Sequence, residues 1–310
     1  MKVGIIDLGT NTFNLLIAEI DNKGGYLPVY RSKVGVKLGE GSFSKNYITE
    51  DAMQRAFVAL DAQILAIKNN YCDRILAFAT AAVRNASNGD LFVKKVKDQF
   101  GANIMVIDGD KEAKMIYQGV QLAGALSSEY SLIMDIGGGS TEFIIANDEE
   151  IVWKKSYEIG VSRLIELFNP SDPIKQSEED EIRSYLKEHL SDIFEEARNQ
   201  NIKQLIGSSG SFDTFSDVLA HRDGSFDQSK EQKSLDFDFN ALVEHLKELI
   251  KSTHQEREAM EGMVAMRIKM IVLSAIITDL VISEIGIEKV KLSRYSLKEG
   301  VLFDVLKGNI

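Results

Sequence analysis

The sequence predicts an α/β protein built from two related lobes with a cleft between them. Short apolar runs typical of strands alternate with longer segments of helical spacing over most of the chain. The length of 310 residues suits two domains that can each bury a core of their own. Residues 5–18 and residues 133–146 also follow one pattern without a gap, which indicates an internal duplication.

The most informative stretch covers residues 131–146, SLIMDIGGGSTEFIIA. Two apolar runs, which we interpret as strands, flank a turn of three glycines. The bare N–H groups of such a turn can approach an anion closely, and neighbouring hydroxyls add donors. The alternative is an ordinary hairpin that needs glycine for its backbone angles. The candidate phosphate ligands are Gly137, Gly138, Gly139, Ser140 and Thr141.

Two carboxylates, Asp135 and Glu142, flank this turn. They would repel a phosphate by themselves. A hard divalent cation between carboxylates and phosphate oxygens would remove that conflict, and we expect Mg²⁺ in this role.

The first hairpin repeats the design more weakly. Asp7 aligns with Asp135, Gly9 with Gly137 and Thr12 with Ser140, each pair 128 positions apart. One hairpin in each lobe would clamp a phosphate chain from both sides. Asn14 aligns with Glu142, so the two turns are not chemically equal.

Composition excludes several classes of protein. The formal net charge of −11 argues against broad binding to nucleic acid or to an anionic membrane. The one cysteine, Cys72, cannot form an internal disulfide or a cysteine metal site, and we expect it in the core. No apolar run approaches the ~18–20 residues of a transmembrane helix. The N-terminus enters a strand at once and leaves no room for a signal peptide, so we expect a cytoplasmic protein.

Between the hairpins, the pattern predicts a helix from Thr49 to Asn70, capped by Thr49 or Asp51, and a strand over residues 74–80. Arg84 follows that strand end, where open α/β sheets place ligand-binding groups. It could hold a phosphate through two parallel hydrogen bonds, or it could be a solvated loop residue.

Residues 89–100 read as a helix, residues 104–107 as a strand, and a further helix runs from Asp108 or Asp110 to about Leu126. Glu112 falls in the first turn of that helix. Its spacing alone favours a carboxylate that stabilises the helix dipole over a general base in the cleft.

The second half predicts a strand near 151–155, one acidic helix over 178–199, and a strand over 201–206 that ends in a third Gly/Ser turn at 207–211. That turn could lie near phosphate, although a tight strand-to-helix loop is the safer interpretation. Arg163 could contact the anion or pair with an acid.

Towards the C-terminus, residues 221–236 are expected to be exposed, and residues 239–251 and 258–285 to be helical. Met260, Met263, Met266 and Met270 would line one face of the second helix, as core or as an interface. A strand over 289–293 and a helix over 297–306 close the chain. The four histidines, which share no metal-ligand spacing, are expected at the surface: His189, His221, His245 and His254.

These blocks together resemble the exopolyphosphatase / guanosine pentaphosphate phosphatase (Ppx/GppA) family, in the superfamily of actin, the heat-shock chaperone ATPases and the sugar kinases. The resemblance spans nearly the whole chain, and the glycine-rich segment is its most specific part. The matching segments are residues 7–12, 79–84, 108–113, 135–142, 160–164 and 297–302.

The resemblance implies two RNase H-like (actin-like ATPase) lobes, residues 1–124 and 125–310, with the final helix able to pack back on the first lobe. It implies Mg²⁺-dependent cleavage of a terminal phosphoanhydride with Glu112 as the base, and Arg84 as a further phosphate ligand. Phosphate would bind Gly9, Thr10, Asn11 and Thr12 together with the second glycine turn. The metal carboxylates would be Asp7, Asp135 and Glu142.

The expected activity is exopolyphosphatase, with inorganic polyphosphate as substrate. The alternatives are a guanosine pentaphosphate 5′-phosphatase and, from another class, a non-catalytic nucleotide-sensing or scaffold protein; a sugar kinase fits less well. Asn14 departs from an arginine that the family often has near this position, and longer members carry additional C-terminal helical domains. Family resemblance and the methionine-rich segment also suggest a homodimer.

Overall fold

The computed structural model describes residues 1–41 and 46–310. The strands are β1 (Lys2–Leu8), β2 (Thr12–Ile20), β3 (Tyr26–Gly35), β4 (Arg74–Ala79), β5 (Ile104–Val106), β6 (Ser131–Ile136), β7 (Thr141–Ala146), β8 (Ile151–Tyr157), β9 (Gln204–Ser208), β10 (Ser234–Asp236) and β11 (Lys289–Ser293). The helices are α1 (Glu50–Asn69), α2 (Ala81–Arg84), α3 (Gly89–Phe100), α4 (Gly109–Leu122), α5 (Val161–Phe168), α6 (Gln176–His189), α7 (Ser191–Asn199), α8 (Ser209–Asp223), α9 (Phe226–Ser229), α10 (Phe239–Lys251), α11 (His254–Ala259), α12 (Ile271–Ile285) and α13 (Leu297–Leu306).

The described strands form two sheets, one in each lobe. The first has the order β3-β2-β1-β4-β5, and the second has the order β10-β11-β9-β6-β7-β8. In both sheets three strands pair antiparallel as consecutive hairpins, and two later strands add on in parallel. The second sheet therefore repeats the first and adds β10 at its edge. This is the α/β fold with two RNase H-like lobes that the sequence predicts.

The duplication extends to the register of the hairpins. Asp7 pairs with Asn14 across β1 and β2, and Asp135 pairs with Glu142 across β6 and β7. The alignment made from sequence alone is thus the alignment of the two backbones.

A second detail repeats as well. The pairing of the middle hairpin strand with its outer neighbour is irregular between Ile17 and Ala18 in the first lobe, and between Ile145 and Ala146 in the second. These positions are equivalent in the overlay of the hairpins, so the irregularity belongs to the duplicated design.

Two helices pack between the sheets. Apolar side chains of α4 and α13 share one buried cluster with the inner faces of β1, β2, β6 and β7. The two helices cross closely, because a Cβ on Gly119 would lie 2.1 Å from Ser296 O and a Cβ on Gly300 would lie 1.7 Å from Met115 O. Glycine at both positions is what lets their backbones touch. Helix α4 carries Glu112, so this packing fixes the helix that presents it to the cleft.

Helix starts follow the predicted chemistry. Thr49 Oγ1 accepts a hydrogen bond from Ala52 N at 3.3 Å and caps α1. Asp108 Oδ1 accepts from Lys111 N at 2.7 Å and caps α4. Of each pair of candidate caps, the first residue is the one used.

Two expectations about helices were wrong. The acidic segment 178–199 forms α6 and α7, which meet at the fully buried Leu190. Segment 258–285 is broken around Gly262, whose φ of +87° no helix interior adopts. The four methionines therefore do not share one helix face. Residues 221–236 are mostly exposed, as expected, and hold the end of α8, α9 and β10.

The expectation of surface histidines was wrong for one of the four. The His245 side chain is only 1% exposed and contacts Phe215 edge-on. Its Nδ1 lies 3.3 Å from Glu248 Oε2. Burial lowers the pKa of His245, while Glu248 opposes that shift. Because α10 turns this position towards the core, a polar neighbourhood in sequence did not reveal its burial.

Within residues 1–41 and 46–310, every helix is too short, or not apolar enough, to cross a membrane.

Candidate active site

The glycine turns of both lobes face one cavity of about 130 Å³ between the sheets. Most of the residues that the sequence singled out line it. They are Asp7, Gly9, Thr10, Asn11, Thr12, Glu112, Asp135, Gly137, Gly138, Gly139, Ser140 and Glu142.

The two turns are in direct contact at this cavity. A Cβ on Gly138 would lie 2.5 Å from Asn11 Nδ2 and 2.9 Å from Thr10 Cβ. Asn11 Oδ1 accepts a hydrogen bond from Ser162 Oγ at 2.8 Å, and Asn11 Nδ2 lies 3.1 Å from Met270 Sδ. The first turn is therefore held against the second lobe, and only glycine fits at the facing position.

The carbonyl groups of the second turn are held from behind by α5. The hydrogen bonds are Val161 N to Gly137 O (3.0 Å), Ser162 N to Gly138 O (2.9 Å) and Arg163 Nε to Gly139 O (3.2 Å). In a planar trans peptide the N–H points opposite to the carbonyl. The N–H groups of Gly138, Gly139 and Ser140 are thus directed away from α5, towards the cavity, as a phosphate-binding turn requires.

The first turn is held in the same manner by the segment after β3. Thr10 O accepts from Gly39 N at 3.1 Å, and Asn11 O accepts from Val36 N at 2.8 Å and from Lys37 N at 2.9 Å. The peptide N–H groups on the other side of these two carbonyls face the cavity for the same geometric reason.

Helix N-termini add to this positive environment. Helices α8 and α13 both begin at the cavity, where Ser209, Gly210 and Ser296 line the wall. N-terminal amides carry partial positive charge and favour anions. The third Gly/Ser turn of the sequence is therefore both a tight strand-to-helix loop and part of the cavity.

Glu112 projects from the first turn of α4 and is 6% exposed. Its Oε2 accepts a hydrogen bond from an Arg84 terminal nitrogen at 2.8 Å. That nitrogen also donates to Ile107 O at 2.9 Å, so Arg84 contacts the acid and does not itself line the cavity. Loss of hydration and the neighbouring charge of Glu142 raise the pKa of Glu112 well above its ordinary value, and Arg84 opposes the shift.

The three acids expected to hold the metal differ in their partners. Asp7 accepts from Asn14 Nδ2 at 2.9 Å, and loss of hydration raises its pKa to about 6 despite this bond. Glu142 accepts from Ser156 Oγ at 2.6 Å, and loss of hydration, with the charge of Asp135, raises its pKa to about 7. Asp135 Oδ2 accepts from two hydroxyls, those of Ser208 and Ser296.

Thr141, like Arg84, occupies another position than the sequence suggested. Thr141 is fully buried in β7, where its hydroxyl donates to Ile159 O at 3.3 Å, so its side chain does not reach the cavity. Arg163, for which two roles were open, pairs with Glu158 at 2.9 Å and holds the glycine turn from behind.

Four cationic side chains that were not among the expected phosphate ligands also line the cavity: Lys33, Arg267, Arg294 and Lys298. Arg294 pairs with Asp213 and Asp217. Arg267 is 8% exposed and, among the residues described here, forms no ion pair within 4 Å. The segment that contains Arg267 was expected to be part of one long helix. No local pattern marks this residue, because only the tertiary fold brings it close to the two turns.

The chemistry of the cavity fits Mg²⁺ better than a soft metal. Its described lining offers hard oxygen atoms from five carboxylates, the three expected metal ligands Asp7, Asp135 and Glu142 together with Glu112 and Asp213, and no cysteine or histidine. In residues 1–41 and 46–310, no three acidic, histidine or cysteine side chains are close enough to ligate one ion. Mg²⁺ usually takes one or two protein carboxylates together with waters and substrate phosphates, so this arrangement suits it.

Comparison with known proteins agrees with this geometry. The sequence model of the Ppx/GppA phosphatase family matches residues 16–309. The crystal structure of an exopolyphosphatase from Cytophaga hutchinsonii superposes with a TM-score of 0.96 at 36% identity, covering 99% of this chain and 98% of that one.

Two curated relatives cover 97% of this chain. Exopolyphosphatase 1 of Mycobacterium tuberculosis is 24% identical, over 87% of its own length. The guanosine-5′-triphosphate,3′-diphosphate pyrophosphatase of Photobacterium profundum is 26% identical, over 58% of its own length.

Proposed function

Because the chain belongs to the Ppx/GppA phosphatase family, we propose that it hydrolyses the terminal phosphoanhydride bond of inorganic polyphosphate and releases orthophosphate. One observation carries the proposal: the N–H groups of two glycine turns converge on one cavity that also contains Glu112. Such a site offers fixed donors for a phosphoryl group and a carboxylate to accept a proton.

The turns and the cationic side chains would bind the substrate. Backbone N–H groups, two helix N-termini and Arg267 supply positive potential inside a protein whose net charge is −11. Fixed donors of this kind need no reorganisation when charge moves onto the phosphoryl oxygens, and they stabilise that charge in the transition state.

Glu112 would act as the general base. A water between its carboxylate and the terminal phosphorus loses a proton to Glu112 as the new P–O bond forms and the bond to the leaving phosphate breaks in line. The raised pKa of Glu112 makes its carboxylate a stronger base than an ordinary glutamate. Arg84 would orient that carboxylate through its 2.8 Å hydrogen bond.

One or two of the carboxylates Asp7, Asp135 and Glu142 would hold Mg²⁺, together with waters and substrate phosphates. When bound, the ion supplies charge neutralisation on the phosphate oxygens. Buried carboxylates in one crevice repel each other, and this repulsion contributes to their raised pKa values. A bound cation would offset that repulsion.

The test is the Glu112→Gln variant, assayed for orthophosphate release from polyphosphate with Mg²⁺. We expect kcat to fall by about 10²–10⁴-fold, the usual contribution of a general base, with KM little changed. Glu195→Gln, an exposed acid on α7, is the matched control. Undiminished release by the Glu112 variant would remove this residue from its role.

A second candidate substrate is guanosine pentaphosphate, because one relative over most of this chain carries the pyrophosphatase name. The reaction would be the same, and only the leaving group would differ. Kinetics of the purified protein on both substrates, as kcat/KM, would decide between them. Tight nucleotide binding with no phosphate release from either substrate would instead favour the non-catalytic sensor.

A further inference from the structure

We propose that Asn85, Glu158 and Arg163 form a clasp across the cleft that positions Arg84 and Glu112 relative to the second glycine turn. The proposal rests on the proposed function only in so far as activity is used as one of its readouts. It assigns a role to three residues that bind neither phosphate nor metal in the scheme above.

The clasp is a continuous chain of polar contacts from one lobe to the other. The contacts are Asn85 Nδ2 to Glu158 Oε1 (2.7 Å), Arg163 to Glu158 Oε2 (2.9 Å) and Arg163 Nε to Gly139 O (3.2 Å). The first of these spans the cleft, because Asn85 follows α2 of the first lobe and Glu158 follows β8 of the second.

Both ends of the clasp reach the site. On the first lobe, Asn85 is the residue next to Arg84, which bonds Glu112 at 2.8 Å. On the second lobe, Arg163 fixes the carbonyl of Gly139 and with it the peptide whose N–H, on Ser140, is directed to the cavity. A change in the clasp therefore changes the distance between the Glu112 carboxylate and the N–H groups of the second glycine turn.

The charges and exposures suit a positioning role better than a stabilising one. The Glu158 side chain is 58% exposed, whereas that of Arg163 is 18% exposed. Exposed ion pairs contribute little to the free energy of unfolding. A small free energy is nevertheless enough to shift an equilibrium between open and closed lobes.

Two other contacts between the lobes would remain if the clasp were lost. Lys154 of β8 bonds Asp110 of α4, and Asn11 of the first turn accepts a hydrogen bond from Ser162 of α5, so both contacts also join the lobes. The lobes should therefore stay folded and associated when Glu158 is replaced, with the cleft less well closed.

The experiment compares Asn85→Ala, Glu158→Ala and the double variant in phosphate release from polyphosphate. We expect each single variant to lose about two- to tenfold in kcat, the value of one hydrogen bond or charge-assisted contact, with KM and Tm nearly unchanged. The kcat of the double variant should be no lower than that of Glu158→Ala, because both changes break the contact between Asn85 and Glu158. Glu158→Gln, which keeps an acceptor for Asn85, should recover part of the loss.

Glu288→Ala is the matched control, since Glu288 is 65% exposed and pairs with Lys203 at 3.0 Å far from the cleft. Single losses that multiply in the double variant, or a kcat for Glu158→Ala equal to that of Glu288→Ala, would overturn the proposal.

Small-angle X-ray scattering without substrate tests the clasp independently of any activity. Glu158→Ala should have a larger radius of gyration than the unmodified protein and Glu288→Ala. An unchanged radius would contradict the clasp, even if the protein hydrolyses polyphosphate. If the unmodified protein had no phosphatase activity, the proposed function would be contradicted. The scattering measurement would still test the clasp in that case.

Discussion

The two glycine turns share a backbone and differ in chemistry. Gly9 N donates to Thr12 O at 3.1 Å, and the equivalent Gly137 N donates to Ser140 O at 3.0 Å. The partner of the strand carboxylate differs, because Asn14 donates to Asp7 whereas Glu142 faces Asp135. A duplicated turn has thus kept its backbone geometry while one copy carries an amide and the other a second acid.

The support behind the turns differs as well. Helix α5 holds the carbonyls of the second turn, and an irregular segment, residues 36–39, holds those of the first. Where the turns meet, the first carries side chains at Thr10 and Asn11, and the second has only Gly138. The second turn is therefore the more constrained of the two, and changes at the two turns should differ in their effect.

The largest effect should come from Gly138→Ala. The new methyl group would meet Asn11 Nδ2 at 2.5 Å and Thr10 Cβ at 2.9 Å, so the turns must separate. A displacement of about 1 Å at reacting groups can cost about 100-fold in rate, and we expect a loss of kcat of that order in the phosphate-release assay.

Two variants serve as references for this prediction. Thr10→Gly, at the facing position of the first turn, removes contact without adding a clash and should cost much less. Gly35→Ala meets only the terminal methyl of Met266, at 3.2 Å, and should retain most activity. Equal losses for the changes at positions 138 and 10 would contradict the asymmetry.

A smaller effect is expected from Glu142→Gln, about 10- to 100-fold in activity, as is typical when a supporting metal-site group is changed. The charge of Glu142 raises the pKa of Glu112, so its removal lowers that pKa. The acidic limb of the kcat/KM profile should move to lower pH. Arg84→Met should move the limb to higher pH, since Arg84 holds this pKa down.

The reciprocal change, Asn14→Asp, would make the first turn acidic like the second. Asp7 would lose its amide donor and gain a like charge, so we expect weaker Mg²⁺-dependent activity at neutral pH, with a smaller loss than for Glu142→Gln. Higher activity in this variant would show that the amide is not needed at the first turn.

The smallest effect concerns the stability of the metal-free protein. The folded-state pKa of Asp7 is raised to about 6 and that of Glu142 to about 7. The folded protein then binds more protons than the unfolded chain between the ordinary and the raised values, so stability falls as pH rises through this window.

Replacing either acid by its amide should therefore raise Tm at pH 8, by about 2–4 °C for each kcal/mol that the buried charge costs. The gain over the unmodified protein should be complete by about pH 6 for Asp7→Asn and by about pH 7 for Glu142→Gln. Both gains should vanish near pH 4. Thermal denaturation in EDTA over a range of pH measures these gains in Tm, with Glu195→Gln as the control. If the gain in Tm had the same pH dependence in both variants, the difference between the turns would be contradicted.

The role of a residue can be predicted from the sequence when that role depends on the residues next to it in the chain. The glycines, their flanking acids and the register of the hairpins follow from local patterns, and the structure confirms the strands and the duplication. Thr141 shows the limit of this reasoning, since its hydroxyl faces Ile159 rather than the cavity. A motif gives the residue type, and the strand's alternation decides the direction of its side chain.

Distant contacts lie outside such reasoning. Arg267 reaches the cavity from a segment whose apolar content suggested one long helix, and Gly262 breaks that helix. His245 is buried because of the helix face on which it falls. Glu112 was assigned as the base only through family resemblance, because its first-turn position alone favoured a structural role.

The sequence by itself determined the two-lobed α/β fold, the paired glycine turns and the family, because strand alternation, turn chemistry and duplication are local properties of the chain. Only the tertiary structure decided which carbonyls are held from behind, which cations line the cavity and how Asn85 meets Glu158. Those facts depend on surfaces that are remote in sequence, and they exist only once the lobes have packed around α4 and α13.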